Sequence, residues 1–176
     1  VLEVDTPILS RSAGTEPSLH PVTALLDNGA DQSAEYFLHT SPEFAMKRLL
    51  AAGSGPIYQL ARSFRNGEAG KQHNPEFILL EWYRPGFTMT ALMDEVDTFI
   101  GEVLGKPNAQ RITYRNLFLR ELGIDPWSAS IEQLVGVAKS RLEFGMQSND
   151  PDHWLDLLFS HCIEPQLKEP VFITHY

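Results

Sequence analysis

The chain has 176 residues, 43% of them apolar and 21% charged, with a net charge of −9. That length suits a globular fold that needs no covalent staples, and the lone cysteine, Cys162, excludes an internal disulfide, a CxxC zinc site and a CxxC redox pair. The acidic balance argues against a nucleic-acid coat or a polybasic membrane anchor. The first residues lack the basic and apolar regions of a signal peptide, and no apolar run nears the roughly 20 residues that span a bilayer. The expectation is a soluble, cytoplasmic protein.

Taken in chain order, Val22–Leu26 and Tyr36–His39 read as short strands around a turn-rich loop containing Asp27, Asn28 and Gly29. Ser41-Pro42-Glu43 has the form of a helix start with Ser41 at the N-cap, and that helix should run to about Ala52 and stop at Gly53. Ile57–Arg65 and Phe77–Tyr83 are strand-like runs flanking a polar loop. Thr90–Leu104 predicts an amphipathic helix, because Leu92, Val96, Phe99, Ile100 and Val103 keep helical spacing and Gly105 and Pro107 follow its end. Thr113 can cap a short helix ending near Gly123, and Ser130 to Gln133 fit a capping box. Asp150-Pro151 opens a helix through Trp154, Leu157, Leu158 and Cys162, and Val171–His175 reads as a strand. Strands, then helices, then a strand favour an α+β fold with an antiparallel sheet.

Charge is uneven along the chain. From Phe44 to Pro75, Lys47, Arg48, Arg62, Arg65 and Lys71 stand against one acid, Glu68. Such a stretch suits a compact anion such as a nucleotide triphosphate; a solvated basic helix face is the alternative. His20, His39, His153 and His175 show no HxH or HExxH spacing, which argues against zinc. His161 and Cys162 point different ways on a helix, so Cys162 reads as a core thiol. Trp127 and Trp154 read as helix-packing residues rather than stacking platforms.

The two strands around the polar loop carry the chemistry. Alternation puts Phe77, Leu79, Glu81 and Tyr83 on one face, and Gln59, Ala61, Ser63 and Arg65 on one face of the preceding strand. An arginine, a carboxylate and a phenol can therefore converge on a rigid platform; an exposed sheet face with a surface Arg–Glu pair is the alternative.

Arg62-Ser63-Phe64-Arg65-Asn66-Gly67-Glu68, His73-Asn74-Pro75-Glu76-Phe77 and Leu80-Glu81-Trp82-Tyr83 together resemble motif 2 of a class II aminoacyl-tRNA synthetase of the lysyl type. Glu3-Val4-Asp5-Thr6-Pro7 resembles the end of motif 1, and Thr40-Ser41-Pro42-Glu43 with Met46-Lys47-Arg48-Leu49-Leu50 resembles the TSPE helix of that group. The Gly67-Glu68-Ala69-Gly70-Lys71 loop, Glu81-Trp82-Tyr83-Arg84-Pro85-Gly86 and Leu92-Met93-Asp94-Glu95-Val96-Asp97 are most similar to the elongation factor P–lysine ligases, stand-alone paralogues of lysyl-tRNA synthetase.

The resemblance implies a partial class II catalytic core over 1–176, with an antiparallel sheet flanked by helices and a helical insertion at about 111–165. It implies ATP-dependent activation of lysine or (R)-β-lysine and transfer to a lysine of elongation factor P, not to tRNA. Arg65 would be catalytic and would bind ATP with Asn66, Gly67, Glu68, His73, Asn74 and Phe77. Ser41, Pro42, Glu43, Glu81 and Tyr83 would bind the amino acid. A homodimer is implied, with Pro7 either at its interface or simply a strand-ending proline. The helix that opens motif 1 and the family's motif 3 are not found in this sequence. Mg²⁺ ligands are therefore expected outside it, and the chain by itself is expected to be inactive, with an open sheet edge near Val171–His175. Two further readings stay open: part of a genuine lysyl-tRNA synthetase, or a non-catalytic binding and dimerisation module.

Overall fold

Period-two stretches of the sequence become strands and 3.6-period stretches become helices in a computed structural model. It describes every residue except Asn28, Ala30, Asp31, Gln32, Gln72, Pro107 and Met146. The chain folds as two compact units, Val1–Phe87 and Thr88–Tyr176.

The first unit runs β1 (Leu2–Glu3), β2 (Leu9–Ser10), β3 (Thr23–Asp27), β4 (Ser33–Leu38), α1 (Glu43–Ala51), β5 (Ile57–Phe64) and β6 (Glu76–Tyr83). One sheet has the order β1-β5-β6 and a second the order β2-β4-β3. The β5–β6 and β3–β4 hairpins are antiparallel, as the alternation predicts. Strand β1 pairs parallel to β5, which two residues give no periodicity to announce. Part of the expected turn between β3 and β4 lies outside the described residues; Gly29 N–H does donate to Asp27 Oδ1. Helix α1 starts one residue later than its sequence suggests. Pro42, not Ser41, is the N-cap and makes no side-chain cap, while Ser41 Oγ accepts from Glu43 N–H at 3.3 Å.

The second unit runs α2 (Met89–Leu104), β7 (Gln110–Thr113), α3 (Tyr114–Leu122), α4 (Ile131–Arg141), α5 (Pro151–Leu158) and β8 (Val171–Thr174). Local signals set the ends of these helices. Thr88 and Thr113 accept side-chain caps, Ser130 and Gln133 close a reciprocal capping box, and Asp150 caps α5 ahead of Pro151. Gly105 and Gly123 end α2 and α3 with φ of 66° and 71°, a conformation that costs glycine nothing. Leu117, Phe118, Leu134, Leu158 and Ile163 are fully buried in one core with Ala138 and Trp154. Each such large side chain contributes about 1.5–3 kcal/mol by leaving water.

Several expectations change here. The helix through Cys162 continues past Leu158 as a π-helical turn, Phe159–Ile163, which leaves Cys162 half-buried against the core. Trp154 packs as expected, and Trp127, though 57% exposed, keeps its ring 6.4 Å from that of Tyr114 at the start of α3. Asp125 Oδ1 accepts Trp127 N–H and holds that residue in a turn outside the helices. No residue of α2 is buried, although its spacing is amphipathic; Leu92, Phe99 and Val103 are exposed. Pro107, expected past its end, lies outside the described residues. The edge expected to be open at Val171–His175 is paired along one side, because β8 runs parallel to β7.

Candidate active site

The site lies entirely within the first unit and is built on the β5–β6 hairpin. Its register sets Ile57 against Tyr83, Gln59 against Glu81, Ala61 against Leu79 and Ser63 against Phe77. Directly opposed residues share a face, so Phe77, Glu81 and Tyr83 stand on the side of Gln59, Ala61 and Ser63. That side is the buried one: Ile57, Gln59, Ala61 and Ser63 are all nearly or fully excluded from solvent. The other side exposes Leu60 and Ile78 and carries the surface Arg–Glu pair, Arg62 with Glu76. The hairpin therefore has both features the sequence allowed, one on each face.

Arg65 follows the last residue of β5 and is held on the buried side. Its N–H donates to Pro75 O at 2.9 Å, and its Nε donates to Thr40 O at 3.4 Å. Its guanidinium lies 5.1 Å from the Phe77 ring centre, and its Nη1 is 3.8 Å from Glu68 Oε2. The loop beyond is tied down by its backbone. Asn66 N–H donates to His20 O at 2.7 Å, Gly67 turns with φ of 83°, and Gly70 N–H donates to His73 O. The side chains of His73 and Asn74 are exposed and make no hydrogen bond among the described residues.

His39 joins β5 to the start of α1. Its ring Nε2 donates to Arg62 O at 2.8 Å, and its carbonyl accepts Phe64 N–H. This clamp brings Thr40, Ser41, Pro42 and Glu43 beside the end of β5. Ser41, Pro42 and Glu43 also line a cavity of about 680 Å³ with the 10–16 loop. Glu43 accepts from Lys47 Nζ at 2.5 Å, one helical turn on.

Toward the other end of the face, Tyr83 Oη donates to Glu81 Oε1 at 2.5 Å. Burial pushes the Tyr83 phenol above its ordinary value, and the hydrogen bond to Glu81 and the charges of Glu81 and Glu43 push it the same way. Two carboxylates thus bear on one protonated phenol, an arrangement suited to a cation. Along β6, Phe77 and Glu81 are four residues apart, about 13 Å at strand rise. An arginine on an aromatic ring stands at one end of a sheet face and an acidic corner at the other.

Sequence reasoning passed over three buried groups here. Thr6 Oγ1 donates to Gln59 Oε1 at 2.9 Å across 53 positions. His39 Nδ1 and Ser63 Oγ are buried and meet no hydrogen-bond partner among the described residues. A polar residue on the inward face of an apolar strand, as Gln59 is, was the available signal. Among the described residues, no three or more His, Cys, Asp or Glu side chains gather as a metal ion requires. No helix among them is long and apolar enough to cross a membrane.

Known proteins match this chain along its full length. A protein of Edwardsiella ictaluri (strain 93-146) named elongation factor P–(R)-β-lysine ligase is 48% identical over 181 residues, covering 100% of this chain and 56% of that protein. Proteins of the same name from Yersinia pestis (strain Pestoides F) and Yersinia pseudotuberculosis (serotype O:1b, strain IP 31758) are 47% identical over 182 residues, with the same coverage. The chain thus spans just over half the length of these relatives. Residues 1–176 also match the family described as tRNA synthetases class II (D, K and N), and the chain belongs to that class II synthetase family.

Proposed function

We propose that this chain forms the motif 2 part of an ATP-dependent ligase that activates a lysine-like diamine, (R)-β-lysine, and passes it to a lysine of elongation factor P. The observation that carries the reading is the polarity of one sheet face, with Arg65 over Phe77 at one end and Glu81, Tyr83 and Glu43 at the other. The name of the relatives, elongation factor P–(R)-β-lysine ligase, supports the choice of amino acid and acceptor.

In this reading the adenine stacks on Phe77, and Arg65 meets the α-phosphate and the substrate carboxylate. The carboxylate oxygen attacks the α-phosphorus, pyrophosphate leaves, and an aminoacyl adenylate remains. Charge grows on the phosphoryl oxygens in that step, and a guanidinium fixed by Thr40 and Phe77 is already oriented for it. Asn66, Gly67, Glu68, His73 and Asn74 line the nucleotide loop. Glu81, Tyr83 and Glu43 hold the diamine's ammonium groups, with Lys47 keeping Glu43 oriented until substrate competes for it. Ser41 and Pro42 form the wall. The acceptor amine then attacks the adenylate carbonyl, and AMP leaves.

Mg²⁺ belongs to the reading only as a general property of class II ligases, and no step here runs through it. The reading also holds that the protein is a cytoplasmic homodimer and that about 111–165 is a helical insertion. The test is pyrophosphate exchange dependent on (R)-β-lysine, followed by intact mass of elongation factor P, using a polypeptide of the relatives' full length. A gain of one lysyl group on the factor is expected. Aminoacylation of tRNA, with the factor unmodified, overturns the reading in favour of a genuine lysyl-tRNA synthetase.

A further inference from the structure

Beyond β5 the Arg65 N–H points to the β6 side, where Pro75 O accepts it, so the N–H groups of its two neighbours point the other way. Strand β1 pairs with β5 at Ile57 and Tyr58, which leaves that edge open near Arg65. The segments before β3 and α1 fill it: Asn66 N–H donates to His20 O, and Phe64 N–H donates to His39 O at 3.0 Å. His39 adds two further bonds. Its own N–H donates to Ile8 O at 2.9 Å, and its ring Nε2 donates to Arg62 O at 2.8 Å. A carbonyl only accepts, so Nε2 carries the hydrogen, and Nδ1 of the neutral ring holds a bare lone pair. Nδ1 is buried and has no hydrogen-bond partner among the described residues. An apolar side chain of similar size would leave no such orphan, so burial alone does not account for a histidine here.

We propose that His39 is a positioning residue for Arg65. The next carbonyl along the chain, Thr40 O, accepts from Arg65 Nε at 3.4 Å, and the ring bond to Arg62 fixes that carbonyl against the end of β5. The inference rests on the reading above, in which Arg65 meets the α-phosphate. Nδ1 is closed off from solvent and Nε2 is taken, so His39 acts through Thr40 and Arg65 rather than on substrate. A competing acceptor makes this anchor matter: Glu68 Oε2, on the loop beyond β5, stands 3.8 Å from Arg65 Nη1. With Thr40 O held in place, the guanidinium keeps one orientation over Phe77. With it loosened, the guanidinium is free to pair with Glu68 instead of phosphate. The orientation of a charge counts most where new charge develops, so the loss belongs to the chemical step more than to ATP binding.

The test is pyrophosphate exchange dependent on (R)-β-lysine, in a polypeptide of the relatives' full length that contains this chain, with rates taken per folded molecule. His39→Leu is expected to lower kcat about tenfold while KM for ATP stays within about twofold, the pattern of an interaction made mainly in the transition state. His39→Gln keeps an N–H at about the reach of Nε2 and should stay within about threefold of the unaltered polypeptide. His39→Asn is too short to reach Arg62 O, should match His39→Leu, and supplies the readout if His39→Leu does not fold. In an Arg65→Ala background, His39→Leu should cost less than about twofold further, because the group it positions is gone. Three outcomes each overturn the role of His39 and leave the reading of Arg65 standing: kcat unchanged in His39→Leu and His39→Asn, His39→Gln as impaired as they are, or an equal loss that persists without Arg65. Full exchange in Arg65→Ala, or no exchange in the unaltered polypeptide, refutes that reading and the role of His39 with it.

Discussion

Arg65 owes its place to three partners from two segments: Thr40 before α1, and Pro75 and Phe77 at the start of the facing strand. A charge so oriented needs little reorganisation when phosphoryl charge develops. In a polypeptide of the relatives' full length, Arg65→Ala is expected to lower pyrophosphate exchange about 10²–10³-fold. Near-normal exchange in that variant removes Arg65 from the reaction. Tyr83 gives a prediction in pH. Its phenol is raised above the ordinary value of about 10 by burial first, then by Glu81 and Glu43. Above about pH 10 the unfolded chain releases this proton while the folded chain keeps it, so the unfolded state binds fewer protons and stability falls as pH rises. Below that pH the contribution is fully present. The stability advantage of the native chain over Tyr83→Phe should therefore shrink on going from neutral pH to above about pH 10. Urea unfolding at the two pH values measures it, and a difference independent of pH rules the effect out.

At the scale of elements, the hairpin separates two roles by face. Its buried side carries small or polar groups, Ala61, Ser63 and Gln59, all nearly or fully excluded from solvent. A larger side chain at so closely packed a position displaces the strand pair that carries Phe77 and Glu81, so Ala61→Leu is expected to reduce ATP and diamine binding together, with the opposite-face change Leu60→Ala affecting neither. Binding titrations of the two variants decide it. The helices of the second unit carry local caps. Ser130 both accepts from Gln133 N–H and has its own N–H taken by the Gln133 side chain. Ser130→Ala should destabilise that unit by about 1 kcal/mol, seen as a lower denaturation midpoint with an unchanged slope. An unchanged midpoint would show that the core around Phe118 and Leu134 holds α4 without its cap.

For the whole molecule, the decisive facts are length and charge. The chain spans 56% of its relatives' length and has a net charge of −9, while ATP is a polyanion. Arg65 carries the positive charge on the candidate phosphate side, and it is already shared with Glu68. We therefore expect ATP to bind the isolated chain weakly, and more weakly still as salt screens the contact. We also expect no modification of elongation factor P by the isolated chain, with modification restored in a polypeptide of the relatives' full length. Intact mass spectrometry reads both, and stoichiometric modification by the isolated chain would show that it completes the site itself.

The sequence by itself determined whatever short-range chemistry encodes. Period-two alternation assigned Arg65, Phe77, Glu81 and Tyr83 to one hairpin face, and adjacent cap residues set the ends of α3, α4 and α5. The resemblance of these segments to motif 2 pointed to the family that the whole chain matches. Only the tertiary structure decided which face of the hairpin is buried, because alternation gives two faces without saying what covers either. It also decided the parallel pairings of β1 and β7, the exposure of Leu92, Phe99 and Val103 on α2, and that of His73 and Asn74. Contacts across long stretches of chain were invisible for the same reason. The His39 clamp on Arg62 spans 23 positions and the Thr6–Gln59 bond 53, and no local pattern records which distant groups will meet once the strands are in register.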